Sequence, residues 1–243
     1  MGIDKLKKNG TPVRALFRNV RSLPFHPQWL LGIKRPVQAV ALLRGKVLDV
    51  GCADRWVEAC CARDVDYVGL DFPLTGENFY RAHPDIFADA ALLPVLSASV
   101  DAVVCLEVLE HVCHPHAALA EFARVLKPGG TMLFSMPFMY PIHDAPHDFQ
   151  RLTEFGLRRD FAAAGFDIVR LEKVGHAVRT AGLLFCLALV GGIYARRKWT
   201  DYLRMPFVML AVLIVNVLAT VVAWLIPDWS ALGMGYSVQA KRR

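Results

Sequence analysis

No two of the six cysteines are spaced C-x-x-C, and several of them sit inside apolar runs. That excludes the disulfide frameworks of small secreted domains, and it reads as a reduced, cytosolic chain whose thiols serve as small core residues. The opening stretch MGIDKLKKNG has no apolar h-region, so no signal peptide is expected. Gly2 stands where a myristoylated glycine would, but Leu6 fills the position that wants Ser or Thr. Also missing is any basic stripe interleaved with aromatics, so no nucleic-acid partner is expected despite the net charge of +6. The basic residues gather instead near the two ends of the sequence, at Lys5, Lys7, Lys8 and Arg14 and at Lys241, Arg242 and Arg243. An anionic lipid surface accounts for that distribution, and so does ordinary solubility. Glycine is scarce where a nucleotide would want it most. VLDVGCADR (47–55) runs from a strand into a turn, yet Gly51 is alone, with Ala53 and Arg55 where further glycines would sit.

What is abundant is apolar surface: 55% of residues are hydrophobic and the mean hydropathy is +0.35, high for a soluble domain. Between 46 and about 175, strand-like runs (KVLDV, DYVGLD, VDAVVCLEV, TMLFSMP, DIVRLEKV) alternate with helical ones (RWVEACCAR, HAALAEFARVLKPGG, TEFGLRRDFAAAGF). The second helix is expected to end at Gly129–Gly130, and the third to run from Thr153 to Gly165. Such alternation implies an α/β fold with a largely parallel sheet covered on both faces, its ligands at the carboxyl ends of the strands. Two uncharged stretches hold the excess hydrophobicity: 16 residues over 180–195 and 22 over 205–226. The second is long enough to span a bilayer and the first is short for it. Trp199, Tyr202, Trp224 and Trp229 flank them as interfacial aromatics do. The expected organisation is a basic, partly helical segment over 1–45, a core over 46–179, an apolar helical insertion over 180–230 and a final strand over 231–243.

Asp71, ending YVGLD, lies 22 residues after Asp49, and a carboxylate there can accept both ribose hydroxyls. A pyrophosphate needs the close backbone approach that later glycines allow, whereas S-adenosylmethionine carries no phosphate. The lone glycine therefore favours the methyl donor over a nicotinamide dinucleotide. Asp89 in ADA (88–90) supplies an acid for the adenine amino group, SVDAVVCLEVLEHV the end of a fourth strand, and RVLKPGGTMLFSMP a helix stop and a fifth. Together these motifs, over 46 to about 175, resemble the class I S-adenosylmethionine-dependent methyltransferases, of the small kind often called type 11. The resemblance implies a Rossmann-like seven-stranded sheet with helices on both faces, whose last strand, here GYSVQAKR, slots antiparallel between strands five and six. The apolar pair then becomes an insertion between strands six and seven, a layout similar to membrane-associated relatives that modify polysaccharide or lipid-linked sugars. It further implies Gly51, Cys52 and Ala53 at the methionine part, with Asp49 behind them. Asp71 and Phe72 fall at the ribose and adenine, Asp89 and Ala90 at the adenine edge, and Leu106 and Glu107 at the end of the fourth strand.

The stretch PFMYPIHDAPHDFQRLT (137–153) follows the fifth strand, where such a fold presents its acceptor. Its Pro137, Tyr140, His143, Pro146, Asp148, Arg151 and Thr153 match a pattern similar to one in those relatives. Methyl transfer to a hydroxyl needs alignment and a base, and a histidine oriented by a carboxylate suits both. His143 is the expected base, Asp148 or Asp144 its orienting acid, and Arg151 the residue that holds the loop or an anionic acceptor. A purely structural loop is the competing reading. HVCHPH (111–116) crowds its histidines with no distant partner pair, so no metal is expected, and His111 is read as capping the cofactor pocket or the next helix. The whole reads as a membrane-associated methyltransferase whose catalytic domain faces the cytoplasm, O-methylating a small-molecule, sugar or lipid-linked acceptor. A nicotinamide oxidoreductase, a silent S-adenosylmethionine-binding module and a membrane scaffold stay open; nothing in the sequence fixes the oligomeric state.

Overall fold

A computed structural model describes residues 21–32, 36–76, 83–196 and 199–243. The early basic residues, together with Arg197 and Lys198 of the loop after the first apolar stretch, lie outside these. The chain divides into two compact units, one built on a sheet (35–138, 142–174, 235–243) and one on a helical hairpin (1–34, 139–141, 175–234).

The sheet unit holds seven strands: β1 Lys46–Val50, β2 Asp66–Asp71, β3 Ile86–Phe87, β4 Val100–Leu106, β5 Leu126–Pro137, β6 Phe166–Val174 and β7 Gly235–Arg242. Their order is β3-β2-β1-β4-β5-β7-β6, with the first five parallel to their neighbours and β7 antiparallel to both β5 and β6. The expected seventh strand is therefore in its expected slot. Helix α1 (Val37–Ala41) precedes β1, and α2 (Trp56–Cys60), α3 (Pro115–Val125) and α4 (Glu154–Ala163) lie between strands. β4 is nearly all apolar because both its faces are covered. Val103 and Cys105 join Leu48, Val50, Phe134, Leu119, Phe122, Leu157 and Phe161 in one core, while Ala102 and Val104 join Val47, Leu133, Val40, Leu43 and Val57 in the other. Truncating Phe122 or Phe161, each wholly buried, would cost about 3–5 kcal/mol.

Two details position the site. α3 stops at Val125, short of the expected Gly129–Gly130, because Pro128 bars helical backbone at Lys127; the Lys-Pro-Gly-Gly run instead begins β5. α4 is capped as expected, the Thr153 hydroxyl accepting the Gly156 N–H at 3.2 Å.

In the hairpin unit, α5 (Ala177–Arg196) and α6 (Trp199–Leu225) run antiparallel. α5 begins three residues ahead of its uncharged stretch, its first N–H held by Asp228 Oδ1 at 2.8 Å. Gly182 lets the helices close: a Cβ there would lie 2.9 Å from that of Ala219. Asn216, a polar residue inside α6, is fully buried, and its amide donates to the carbonyls of Pro24 and His26. Leu30 and Leu31 pack with Leu183 and Ala219, so the irregular 24–31 segment covers one end of the hairpin.

Candidate active site

Strand order reverses between β1 and β4, and doubly wound sheets bind ligands in the crevice that this opens at the strand ends. At the end of β1 the N–H groups of Gly51 and Cys52 both donate to Leu70 O, at 2.8 and 3.1 Å. Gly51 has φ +77°, and a Cβ there would meet Val108 Cγ2 at 2.3 Å, so this one glycine is obligatory. Ala53 and Arg55 then adopt left-handed backbone, with φ 43° and 55°, where glycine would be at ease. The turn thus keeps the path of a glycine loop without the glycines. Arg55 is held there by Glu58 (Nε–Oε2, 2.7 Å) and Asp85 (3.0 Å), with its guanidinium 4.9 Å from the Tyr67 ring centre.

Asp71 ends β2, and each of its carboxylate oxygens is fixed by a backbone N–H: Ala53 at 2.9 Å on Oδ2 and Phe72 at 2.8 Å on Oδ1. Burial pushes its pKa up and the two N–H donors oppose that. Asp49 is deeper; burial pushes its carboxyl up to about 7 although the Tyr67 hydroxyl donates to it at 2.6 Å. The Cys52 thiol, pushed up to about 12 chiefly by burial, is a packing residue and no nucleophile. Asp89 follows β3 on the surface, its Oδ1 accepting the Ala91 N–H at 2.8 Å, beside the buried Ala90. Beyond Leu106, Glu107 has φ 58° and its Oε1 accepts the Ser135 hydroxyl at 2.9 Å. A carboxylate anchored to the first turn, an acid after β3 and a left-handed turn after β1 fit the ribose, adenine and amino-acid parts of S-adenosylmethionine.

The second cluster joins the 3₁₀ turn Leu109–His111 to the loop after β5. Phe149 N–H donates to Glu110 O at 2.8 Å, and Gln150 Nε2 to Leu109 O at 2.7 Å, which zips the loop onto the turn. His143 lies edge-on to His111 with ring centres 4.9 Å apart. Asp148 meets His143 twice: its Oδ2 accepts the His143 backbone N–H at 2.9 Å and lies 3.3 Å from the ring Nδ1. Arg151 grips both oxygens of Asp148, and this contact, foremost, holds the Asp148 pKa down to about 2. Arg151 therefore holds the loop. Asp144 sits on a turn of φ 50° whose carbonyl accepts the His147 N–H. Tyr140 belongs to the hairpin unit, where its hydroxyl accepts from Gln28 Nε2 at 2.7 Å. His111 does not cap α3, whose N-cap is His114; its Nδ1 meets His147 O at 2.6 Å. Glu110, wholly buried beside both imidazoles, was not singled out from the sequence, although the same EVLEHV stretch places it next to His111.

A family model described as methyltransferase domain matches residues 30–183. The ubiquinone biosynthesis O-methyltransferase of Idiomarina loihiensis is 37% identical over 100 residues, which is 37% of this chain and 41% of that protein. The chain spans less than half the length of the curated relatives it matches. Among solved structures, a SAM dependent methyltransferase from Archaeoglobus fulgidus superposes with a TM-score of 0.54 at 14% identity, over 95% of this chain and 98% of that one. The [4+2]-cyclase SpnF superposes at 0.50 with 23% identity, over 85% and 79%. These two likenesses show the fold alone. The match over most of the chain, on the seven-stranded order with β7 turned antiparallel, places the protein: it belongs to the methyltransferase domain family, with the class I S-adenosylmethionine-dependent fold.

Proposed function

We propose that the chain is an S-adenosylmethionine-dependent O-methyltransferase acting on a hydroxyl of a small molecule drawn from a membrane. The observation that carries the cofactor half is Asp71, tied by one oxygen to the Ala53 N–H of the β1 turn. That tie presets the carboxylate, whose remaining lone pairs accept ribose hydroxyls. When bound, S-adenosylmethionine supplies a methyl group made electrophilic by its positive sulfur. The chain's own residues do the rest. The β1 turn, Asp71 and Asp89 hold the donor, and the left-handed Glu107, braced by Ser135, shapes the end of β4. His143 takes the proton of the acceptor hydroxyl, with Asp148 fixing its ring and Arg151 fixing Asp148.

Two helices long and apolar enough to cross a membrane support an acceptor of the same phase. The names of the curated relatives support an oxygen acceptor like those of ubiquinone biosynthesis ahead of the sugar or lipid-linked glycan that the sequence favoured. A nicotinamide oxidoreductase draws no support from either.

Calorimetry on Asp71→Asn tests the pocket, since Asn keeps an acceptor for one backbone N–H. Affinity for S-adenosylmethionine should fall roughly tenfold, or about 1.5 kcal/mol, the value of one hydrogen bond to a charged group. Unchanged affinity in a folded variant, or tight NADH binding by the wild type, refutes the assignment. Labelled methyl from the donor, offered with quinone-precursor lipids and separately with lipid-linked glycans, identifies the acceptor class.

A further inference from the structure

We propose that Glu110, His111 and His143 form a binding site for a divalent first-row transition-metal ion. This rests on the methyltransferase reading and revises one role within it: a cation held here takes the acceptor's oxygen, and His143 serves as its ligand in place of the base role given above. The three residues can each offer a donor atom, all within 4.8 Å of one another. His111 Nε2 lies 3.7 Å and His143 Nε2 4.0 Å from the same atom, Glu110 Oε1.

The far side of each ring says which nitrogen carries the hydrogen. His111 Nδ1 is 2.6 Å from His147 O, a carbonyl that can only accept, so Nδ1 is the donor and Nε2 keeps its lone pair. His143 Nδ1 lies 3.3 Å from Asp148 Oδ2, again an acceptor, and its lone pair is likewise on Nε2. Arg151 Nη2, which can only donate, also approaches that Nδ1 at 3.5 Å; the carboxylate is nearer at 3.3 Å, and it is this contact that directs the Nε2 lone pair toward Glu110. Two imidazole lone pairs and a buried carboxylate thus face one point. A positive ion resolves that arrangement. Backbone carbonyl behind one histidine and carboxylate behind the other is the outer support that metal-bound histidines have. Arg151 is gripped first by Asp148 and acts on Glu110 only as a nearby charge, so it leaves the three donor atoms in place.

Two imidazoles and one carboxylate suit manganese, iron, cobalt or zinc better than calcium or magnesium. An ion about 2.0–2.2 Å from each donor would bring them to about 3.4 Å apart, a closure of roughly 0.3 to 1.4 Å from the separations here, and leave coordination positions open. A hydroxyl taken there becomes more acidic, and its proton passes to solvent before the oxygen is methylated.

The test uses the full-length protein, stripped with a chelator and titrated with Mn²⁺, and separately Zn²⁺, by calorimetry and thermal unfolding. One ion should bind per chain and raise the melting temperature. His111→Gln and His143→Gln should each weaken binding at least tenfold, while His114→Ala, at the exposed neighbour in HVCHPH, should not. No binding, or equal binding in all variants, overturns the site. S-adenosylmethionine is titrated into the same stripped sample. Donor binding without metal binding defeats the metal site and leaves the methyltransferase; metal binding without donor binding does the reverse. Full methyl transfer by the stripped enzyme would return His143 to the role of base.

Discussion

Asp49 shows what a single residue contributes and at what cost. It is 2% exposed, and burial raises its pKa from 3.8 to about 7. A carboxyl that binds its proton more tightly folded than unfolded adds stability below the unfolded pKa, and that stability is lost as pH rises through the folded value. Wild-type stability should therefore fall relative to Asp49→Asn between about pH 4 and pH 7, by on the order of 3–4 kcal/mol. Urea unfolding across that range measures it, and parallel curves for the two proteins would contradict the assignment. Asp148 carries the opposite sign: held down by Arg151, it stabilises above its ordinary pKa and is lost only as pH falls toward about 2. Asp49 was visible in the sequence as an acid at a strand end, where α/β folds bind, and Asp148 as part of the 137–153 motif after the fifth strand. Their states were not visible, since desolvation depends on Tyr67 and the covering helices. Nor were the left-handed Ala53 and Arg55, the first held by its N–H bond to Asp71 and the second by Glu58 and Asp85. The Glu110–His111–His143 cluster was hidden for a third reason: it forms only when a loop more than thirty residues away folds back over its turn.

At the scale of elements, the strands were the most legible part, because burial on both faces leaves continuous β-branched runs that little else produces. β7 was recognisable from GYSVQAKR despite following the apolar stretches, and its placement has a strict requirement. At Gly235 a Cβ would stand 2.5 Å from Met136 O, a backbone atom that cannot turn aside. Gly235 also pairs Val174 on β6 and Pro137 on β5, so a shift there pulls on two ladders. Gly235→Ala should therefore destabilise the sheet unit by about 2 kcal/mol or more, well above an ordinary surface change, whereas Gly129→Ala should show only the penalty of its positive φ (74°), having nothing within 4 Å. Chemical denaturation of the two variants compares them, and equal losses would mean that the close contact relaxes freely. The end of α3 was misread because two stop signals stand side by side in Lys-Pro-Gly-Gly and the proline acts first.

The whole molecule must reconcile a sheet completed by β7 with two apolar helices. Val174 and Gly235 are paired neighbours, so the chain leaves and re-enters the sheet at one place, and any crossings of a bilayer must be even in number. Two crossings would put Arg196, Arg197, Lys198 and Arg204 on the far side against Asp201, against the positive-inside bias. The covering 24–31 segment adds an independent objection. Its irregular backbone lies on the hairpin at Leu183, Asn216 and Ala219, and lipid-exposed irregular backbone is not tolerated at membrane depth. Past Cys186 and Val212 each helix has only 10 to 13 residues left, about 15–20 Å at 1.5 Å per residue, against a hydrocarbon core of about 30 Å. α6 nonetheless exposes a continuous stripe of Leu203, Phe207, Leu210, Ile214, Val217 and Val221, at the i+3 and i+4 steps of one helix face. We propose a hairpin lying in one leaflet, which would satisfy all of this: the stripe would enter the lipid, with Arg196 and Arg204 at the anionic headgroups. A unique cysteine placed by Thr200→Cys in a chain with its six cysteines replaced should be unreactive to a membrane-impermeant thiol reagent in intact cells and reactive after permeabilisation. Labelling in intact cells would mean that the hairpin crosses the membrane twice, and the single-leaflet arrangement would be wrong.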